Sequence, residues 1–240
     1  MSTPASVSRS LSAVAWARQI GVFDLETTGV DVVHDRIVTA HVGLLAADGT
    51  VLRRGDWLAD PGVEIPAAAT AVHGVTTARA QADGRPAREV VAEVVAALRS
   101  LFGAGVPVVA YNAPYDFSLL KHEALRHGVA PITAPGPVVD PLVIDKAVDR
   151  YRKGKRTLEA VAAHYAVDLI GAHDACADAV AAGRVAQAIA ARHARTLPAE
   201  AHTLHDAQIG WARDQAESLT EYFVRIGRID PVVDGSWPIR

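Results

Sequence analysis

The chain has 240 residues, 50% of them hydrophobic and 21% charged, with a formal net charge of -3. That is enough for one large or two small domains with a well-buried core, in the composition of an ordinary soluble globular protein. It excludes a global basic field that wraps nucleic acid, so an anionic polymer must be handled locally, through metal ions or a small basic patch. The single cysteine, Cys176, excludes an internal disulfide framework and suits a reducing cytoplasm, the expected location.

Residues 1–19 read as a lead-in: "LSAVAWA" has the look of a signal-peptide core, but the run is short and Arg18 cuts it. No stretch reaches the roughly 20 apolar residues that span a bilayer. A buried strand follows from Ile20 to Phe23 and ends in Asp24 and Glu26. Residues 36–59 hold two β-rich runs around Asp48-Gly49, a hairpin signal, so the first three strands form an antiparallel meander. Prolines and glycines mark 61–76 as a loop, and the spacing of Val90, Val91, Val94, Val95, Leu98 and Leu101 predicts a helix over 86–102. A strand at 106–111, a helix at 113–128, a short strand at 137–140 and a helix at 141–150 come next. The basic loop "RYRKGKR" (150–156) precedes helices at 157–165, 174–194 and 198–227. Strands first and helices crossing back later make an α/β domain with a mixed sheet. The economical division is one domain over 20–195 and a helical C-terminal extension over 196–240.

Three short segments carry chemistry. In "FDLETTG", Asp24 and Glu26 stand two apart on a strand, so both carboxylates point to one face, where like charges repel unless something positive lies between them. By itself D-x-E is weak, since a chain this long yields it about once by chance. In "YNAPYD", Asn112 or Ala113 can cap a helix whose first turn holds Asp116, and the helix dipole favours a negative charge there. Asp116 alone serves a helix start as well as a metal. In "HDACAD", His173 and Asp178 would lie roughly 140° apart on one regular helix. If Asp174 is the N-cap, His173 belongs to the preceding loop, and the two can approach one site from different directions.

Taken together and in this order, "FDLETTG", "NAPYD" and "HDACAD" resemble the DnaQ-like DEDD exonuclease superfamily over roughly residues 20–195, with "AVHGVT" and "RTLEAVAAHYAV" also similar to family segments. The whole chain looks most like bacterial, especially actinobacterial, polymerase III epsilon-like exonucleases. His173, five residues before the aspartate, points to the histidine subclass, and Tyr115 stands where the family often has Phe. The resemblance implies an RNase H-like fold: a mixed five-stranded sheet, antiparallel meander first and parallel strands after, flanked by helices. It also implies a two-metal 3′–5′ exonuclease, using Mg²⁺ or Mn²⁺, that releases nucleoside 5′-monophosphates from single-stranded or frayed 3′ ends. By the same resemblance Asp24, Glu26 and Asp178 hold one metal, Asp24 bridges to the second, and Asp116 acts on the second directly or through water. His173 is then the general base toward the attacking water, a role suited to a near-neutral pKa.

Thr27 and Thr28 are candidates to meet the terminal nucleotide, and His73 and Asn112 are further candidates, with a structural turn an equal reading for His73. Arg150, Arg152, Lys153, Lys155 and Arg156 can track phosphates or simply solvate a loop. Cys176 reads as a filler of a small core position, and His202 and His205 lack the surroundings of a zinc site. In the C-terminal helix Leu204, Trp211, Leu219, Tyr222, Phe223 and Ile226 fall mainly on one side. That face packs on its own domain or docks a polymerase, a clamp or a second copy of the chain. No Gly- or Ser-rich linker is present, which favours a free-standing enzyme. DNA against RNA stays open, with a non-catalytic nucleic-acid adaptor as the reading from another class.

Overall fold

The computed structural model describes residues 14–169, 174–228 and 232–240. β1 (Gln19–Thr27) is its organising strand. Successive side chains of a strand point to opposite faces, and β1 serves two cores: Phe23 and Leu25 enter one, Ile20 and Val22 the other. β2 (Ile37–Ala46) and β3 (Val51–Asp60) complete the antiparallel meander, turning at Gly49, whose φ of 80° a residue with a Cβ rarely adopts.

The segment 61–76 is not simply a loop. It contains α1 (Ala67–His73), closed by Gly74 at φ 74°, and α2 (Thr77–Asp83) follows, capped by the Thr76 hydroxyl accepting from the Arg79 amide. The prolines and glycines mark the ends of α1, and the alanine run between them favours helix. After α2 the chain returns to the sheet as β4 (Arg85–Pro86), parallel to the end of β3. Among the described residues the sheet therefore has six strands, in the order β4-β3-β2-β1-β5-β6, and not the expected five. Gly84 permits this return: a Cβ there would lie 2.6 Å from the Asp60 amide nitrogen.

α3 (Ala87–Gly103) buries the six predicted apolar positions against the Phe23 side of the sheet. β5 (Val108–Val109), shorter than expected, lies parallel to β1, and α4 (Ala113–Arg126) leaves its end. β6 (Val138–Val139) pairs parallel to β5 and leads into α5 (Pro141–Val148), then α6 (Leu158–His164). α7 (Ala175–Arg192) crosses the Ile20–Val22 face. Its Gly183 lets it approach closely, since a Cβ would stand 2.5 Å from Val22 Cγ1 and 2.6 Å from Leu45 Cδ1.

α8 (Ala201–Arg225) lies along the open edge of β6. There its side chains replace a neighbouring strand. Gln208 accepts from the Asp140 amide at 2.7 Å and donates to the Val138 carbonyl at 3.0 Å, and His205 Nδ1 accepts from the Val138 amide at 3.0 Å. Buried backbone groups need such partners. Leu204, Gln208 and Ala216 are the buried residues of α8, whereas Leu219, Tyr222 and Ile226 of the expected apolar face are exposed. Among the described residues no helix is long and apolar enough to cross a membrane.

Candidate active site

The sheet brings the acidic segments together at the C-terminal end of β1. Asp24 and Glu26 share the face that α7 covers, and Asp178 sits in the first turn of α7. One carboxylate oxygen from each of the three falls within 4.8 Å of the others. Asp174 is the N-cap of α7, accepting from the Cys176 and Ala177 amides, as the sequence suggested. His173 lies outside the described residues.

Asp116 arrives from the opposite neighbour of β1. β5 ends opposite Val22, so the Leu25 amide lacks a strand partner on that side; Asp116 Oδ1 accepts it at 3.1 Å. Asp116 is buried, in the first turn of α4.

Four acids in one place disturb each other's ionisation. Burial, and then the charges of Asp116, Glu26 and Asp178, hold the Asp24 carboxyl well above the usual carboxylate range. Burial raises Asp116 likewise, against the pull of the Leu25 amide. Glu26 is pushed up to about 7 by burial and by the charges of Asp178 and Asp174. A divalent cation reverses this balance, because it favours the charged form of every one of these groups. All the donors are hard oxygens, which fits Mg²⁺ or Mn²⁺.

The candidate substrate contacts have other commitments. The Thr27 hydroxyl donates to the Gly29 carbonyl at 2.6 Å and meets the Tyr115 hydroxyl, which itself donates to Gly29 at 2.6 Å. The Thr28 hydroxyl donates to Asp35 at 2.8 Å and accepts from the Arg36 amide. Both hydroxyls therefore build the turn after β1. His73 closes α1 with Nδ1 accepting from the Val75 amide, which places its proton on Nε2; burial lowers its pKa, against a backbone interaction with Thr27. Asn112 occupies the N-cap position of α4 at φ 62°, its side chain exposed and not capping. The capping is done by Asp140, a buried residue the sequence reading passed over. Its carboxylate accepts from the amides of Asn112 at 3.0 Å, Ala113 at 2.9 Å and Leu142 at 2.9 Å, and from the Trp237 indole at 3.3 Å.

Of the basic run, Arg152 and Arg156 both pair with buried Asp145, while Arg150, Lys153 and Lys155 are exposed. Cys176 is only partly buried. Its sulfur lies within 4.8 Å of a ligand atom each from Asp56 and fully buried His41, which bond one another at 2.8 Å. The register β1–β2–β3 aligns Asp24, His41 and Asp56 in one row, a pairing invisible before the hairpin is aligned.

Comparison with known proteins gives the chain relatives. The chain is 29% identical over 173 residues to the PolC-type DNA polymerase III of Lacticaseibacillus paracasei, covering 70% of this chain and 11% of that protein. It is 36% identical over 129 residues to a DNA polymerase III subunit epsilon-like protein of Rhodobacter capsulatus, covering 53% of this chain and 17% of the relative. The chain thus spans only a small part of these relatives. Among solved structures, Escherichia coli exonuclease I in complex with a dT13 oligonucleotide superposes with a TM-score of 0.61 at 20% identity, over 74% of this chain and 42% of that one. The Exonuclease family model matches residues 22–186, more than half of the chain, and the protein belongs to that family.

Proposed function

We propose that the protein is a metal-dependent 3′–5′ exonuclease acting on single-stranded or frayed DNA 3′ ends and releasing nucleoside 5′-monophosphates. The observation that carries the reading is the convergence of Asp24, Glu26 and Asp178 within 4.8 Å, with Asp116 bonded to the same strand. A stable fold has no use for such repulsion, and a cation site does. In this reading Asp24, Glu26 and Asp178 hold one Mg²⁺ or Mn²⁺, and Asp24 and Asp116 serve a second. When bound, the two ions supply the positive charge that activates water and steadies the leaving 3′-oxygen of an in-line displacement.

The chain's own groups do the rest. His173 accepts the proton of the attacking water as the new P–O bond forms, and as the P–O3′ bond breaks the leaving 3′-oxygen takes a proton from solvent. The turn built by Thr27, Thr28 and Tyr115 follows directly on Glu26, and in this reading His73 and exposed Asn112 contact the terminal nucleotide. The deoxyribose preference follows the relatives, whose printed descriptions are of DNA polymerases and of a complex with oligothymidylate. Docking to a polymerase or a clamp, and self-association, would fall to the exposed end of α8.

The test is a time course on 5′-labelled single-stranded DNA and RNA of one sequence, with Mg²⁺, with Mn²⁺ and with EDTA, beside Asp24→Ala. A metal-dependent ladder that shortens from the 3′ end, faster on DNA and absent in the variant, is expected. Shortening of RNA alone would reassign the substrate. Binding that persists in EDTA with no shortening of either polymer would leave a nucleic-acid adaptor.

A further inference from the structure

Between the C-terminal helix and residues 146–156 lies a cavity of about 640 Å³, within the roughly 300–1,000 Å³ of small-ligand sites. Its lining combines two chemistries. Lys146, Arg150, Arg152 and Arg156 face it against a single lining carboxylate, Asp214, and the rings of Tyr151, Trp211 and Tyr222 contribute aromatic surface. Arg152 and Arg156 are neutralised in part by Asp145, but Lys146 enters none of the ion pairs among the described residues. Burial pulls its pKa down, against the charges of Asp140 and Asp145, which pull it up.

A second, smaller cavity of about 160 Å³ continues from the first, sharing Lys146, Gln215 and Leu219. Its lining also includes Asn112 and Pro114, on the helix start that carries Asp116. The two cavities form a groove that runs from the catalytic helix to Tyr222. Two of its aromatics are well placed to meet a planar group from solvent: Tyr151 is 87% exposed and Tyr222 46% exposed. Four cations around one lining carboxylate draw an anion, and exposed rings beside them offer a face to a flat group. A nucleotide is both.

We propose that this groove holds the nucleotides just upstream of the scissile bond, Lys146 and Arg150 meeting their phosphates and Tyr222 and Tyr151 stacking on their bases. The inference rests on the exonuclease reading of the acidic site. It extends that reading to a wall of the groove, Trp211 to Tyr222, which lies beyond the matched family segment 22–186. The general physics is that of single-strand binders, which combine a basic track with sequence-tolerant stacking.

The test compares wild type with Lys146→Gln/Tyr222→Ala on three substrates: the p-nitrophenyl ester of thymidine 5′-monophosphate, a thymidylate trimer and a thymidylate dodecamer. The ester needs only the acidic site. In wild type kcat/KM rises from trimer to dodecamer; in the variant the dodecamer value falls about tenfold or more, the worth of one stacked base, while ester hydrolysis stays within about twofold. The slope of log Kd against log salt for the dodecamer drops by about 0.7, the share of one phosphate contact. As a readout independent of turnover, a dodecamer carrying 5-iodouracil near its 3′ end cross-links to the peptide containing Trp211 or Tyr222. An equal fall on all three substrates, no fall on the dodecamer, or a cross-link elsewhere overturns the groove. A wild type inactive even on the ester instead overturns the exonuclease reading.

Discussion

Asp24→Asn should make the metal-free protein more stable while abolishing its function. The oxygens of Asp24, Glu26 and Asp178 lie within 4.8 Å of each other. At that separation one pair of unit charges repels by about 3–4 kcal/mol at an effective dielectric of about 20, an upper bound because the carboxylates can turn apart or share a proton. Glu26 is partly open to water, and solvent screening reduces its share. A net gain of about 1–2 kcal/mol from removing one charge is reasonable, or roughly 2–8 °C in Tm for a domain of this size. The pH dependence has a definite sign. Glu26 titrates near 7 in the fold and near 4.3 when unfolded. Between those values the native state holds more protons, so metal-free stability rises as pH falls through that window, and Asp24→Asn, by removing a second raised carboxyl, flattens the rise. Divalent ion at about 100 times its Kd should add about 2.7 kcal/mol to the wild type and little to the variant. Differential scanning calorimetry at about pH 8 and pH 5.5, with EDTA or Mg²⁺, measures all of this. A variant less stable than wild type in EDTA at the higher pH, or one that gains as much from Mg²⁺, would refute the reasoning.

Other side chains make separate predictions. Tyr115→Phe removes the hydroxyl shared by Thr27 and Gly29 and should cost about 1 kcal/mol in urea unfolding, with a several-fold loss of kcat/KM; an unchanged kcat/KM would show that the turn does not support the site. Gly183→Ala drives a methyl against Val22 and Leu45, a cost of about 1–3 kcal/mol that a thermal melt will reveal, and an unshifted Tm would mean α7 can lift freely off the sheet. Loading of metal should weaken below about pH 7, because Glu26 must lose its proton first; isothermal titration across pH tests this, and a flat affinity would contradict it.

The parts of this protein that could be read from sequence are those in which a local pattern and a buried face coincide. The apolar spacing of Val90 to Leu101 determines α3, and the turn at Gly49 fixes the meander. The acidic residues are legible because charge at the end of an apolar strand is costly, so its presence asks for a reason. Elements that depend on partners far along the chain were not legible. β4 is two residues long and exists only because Gly84 lets it reach the backbone of β3. Thr27 and Thr28, candidates to meet the terminal nucleotide, have hydroxyls committed to Tyr115, Gly29 and Asp35, partners that only the fold brings to them. Cys176 acquires His41 and Asp56 as neighbours only through strand register and the docking of α7. Asp140 carries no motif at all.

Asp140 also argues against treating the C-terminal helix as an appendage. Its carboxylate holds the first amides of α4, the helix that delivers Asp116, while its own amide is held by Gln208 of α8 and its Oδ2 by Trp237. Burial raises its pKa, and those donors oppose the rise. One buried carboxylate thus ties the acidic site to residues 201–240. Gln208→Ala should therefore destabilise the fold by about 1–3 kcal/mol, since it orphans the Asp140 amide and the Val138 carbonyl together. It should also lower kcat on the nitrophenyl ester, although Gln208 lies on α8 and not on the helix that carries Asp116. A variant that loses stability but keeps full kcat would show that α8 only seals the sheet edge. Loss of both would make the extension part of the catalytic framework.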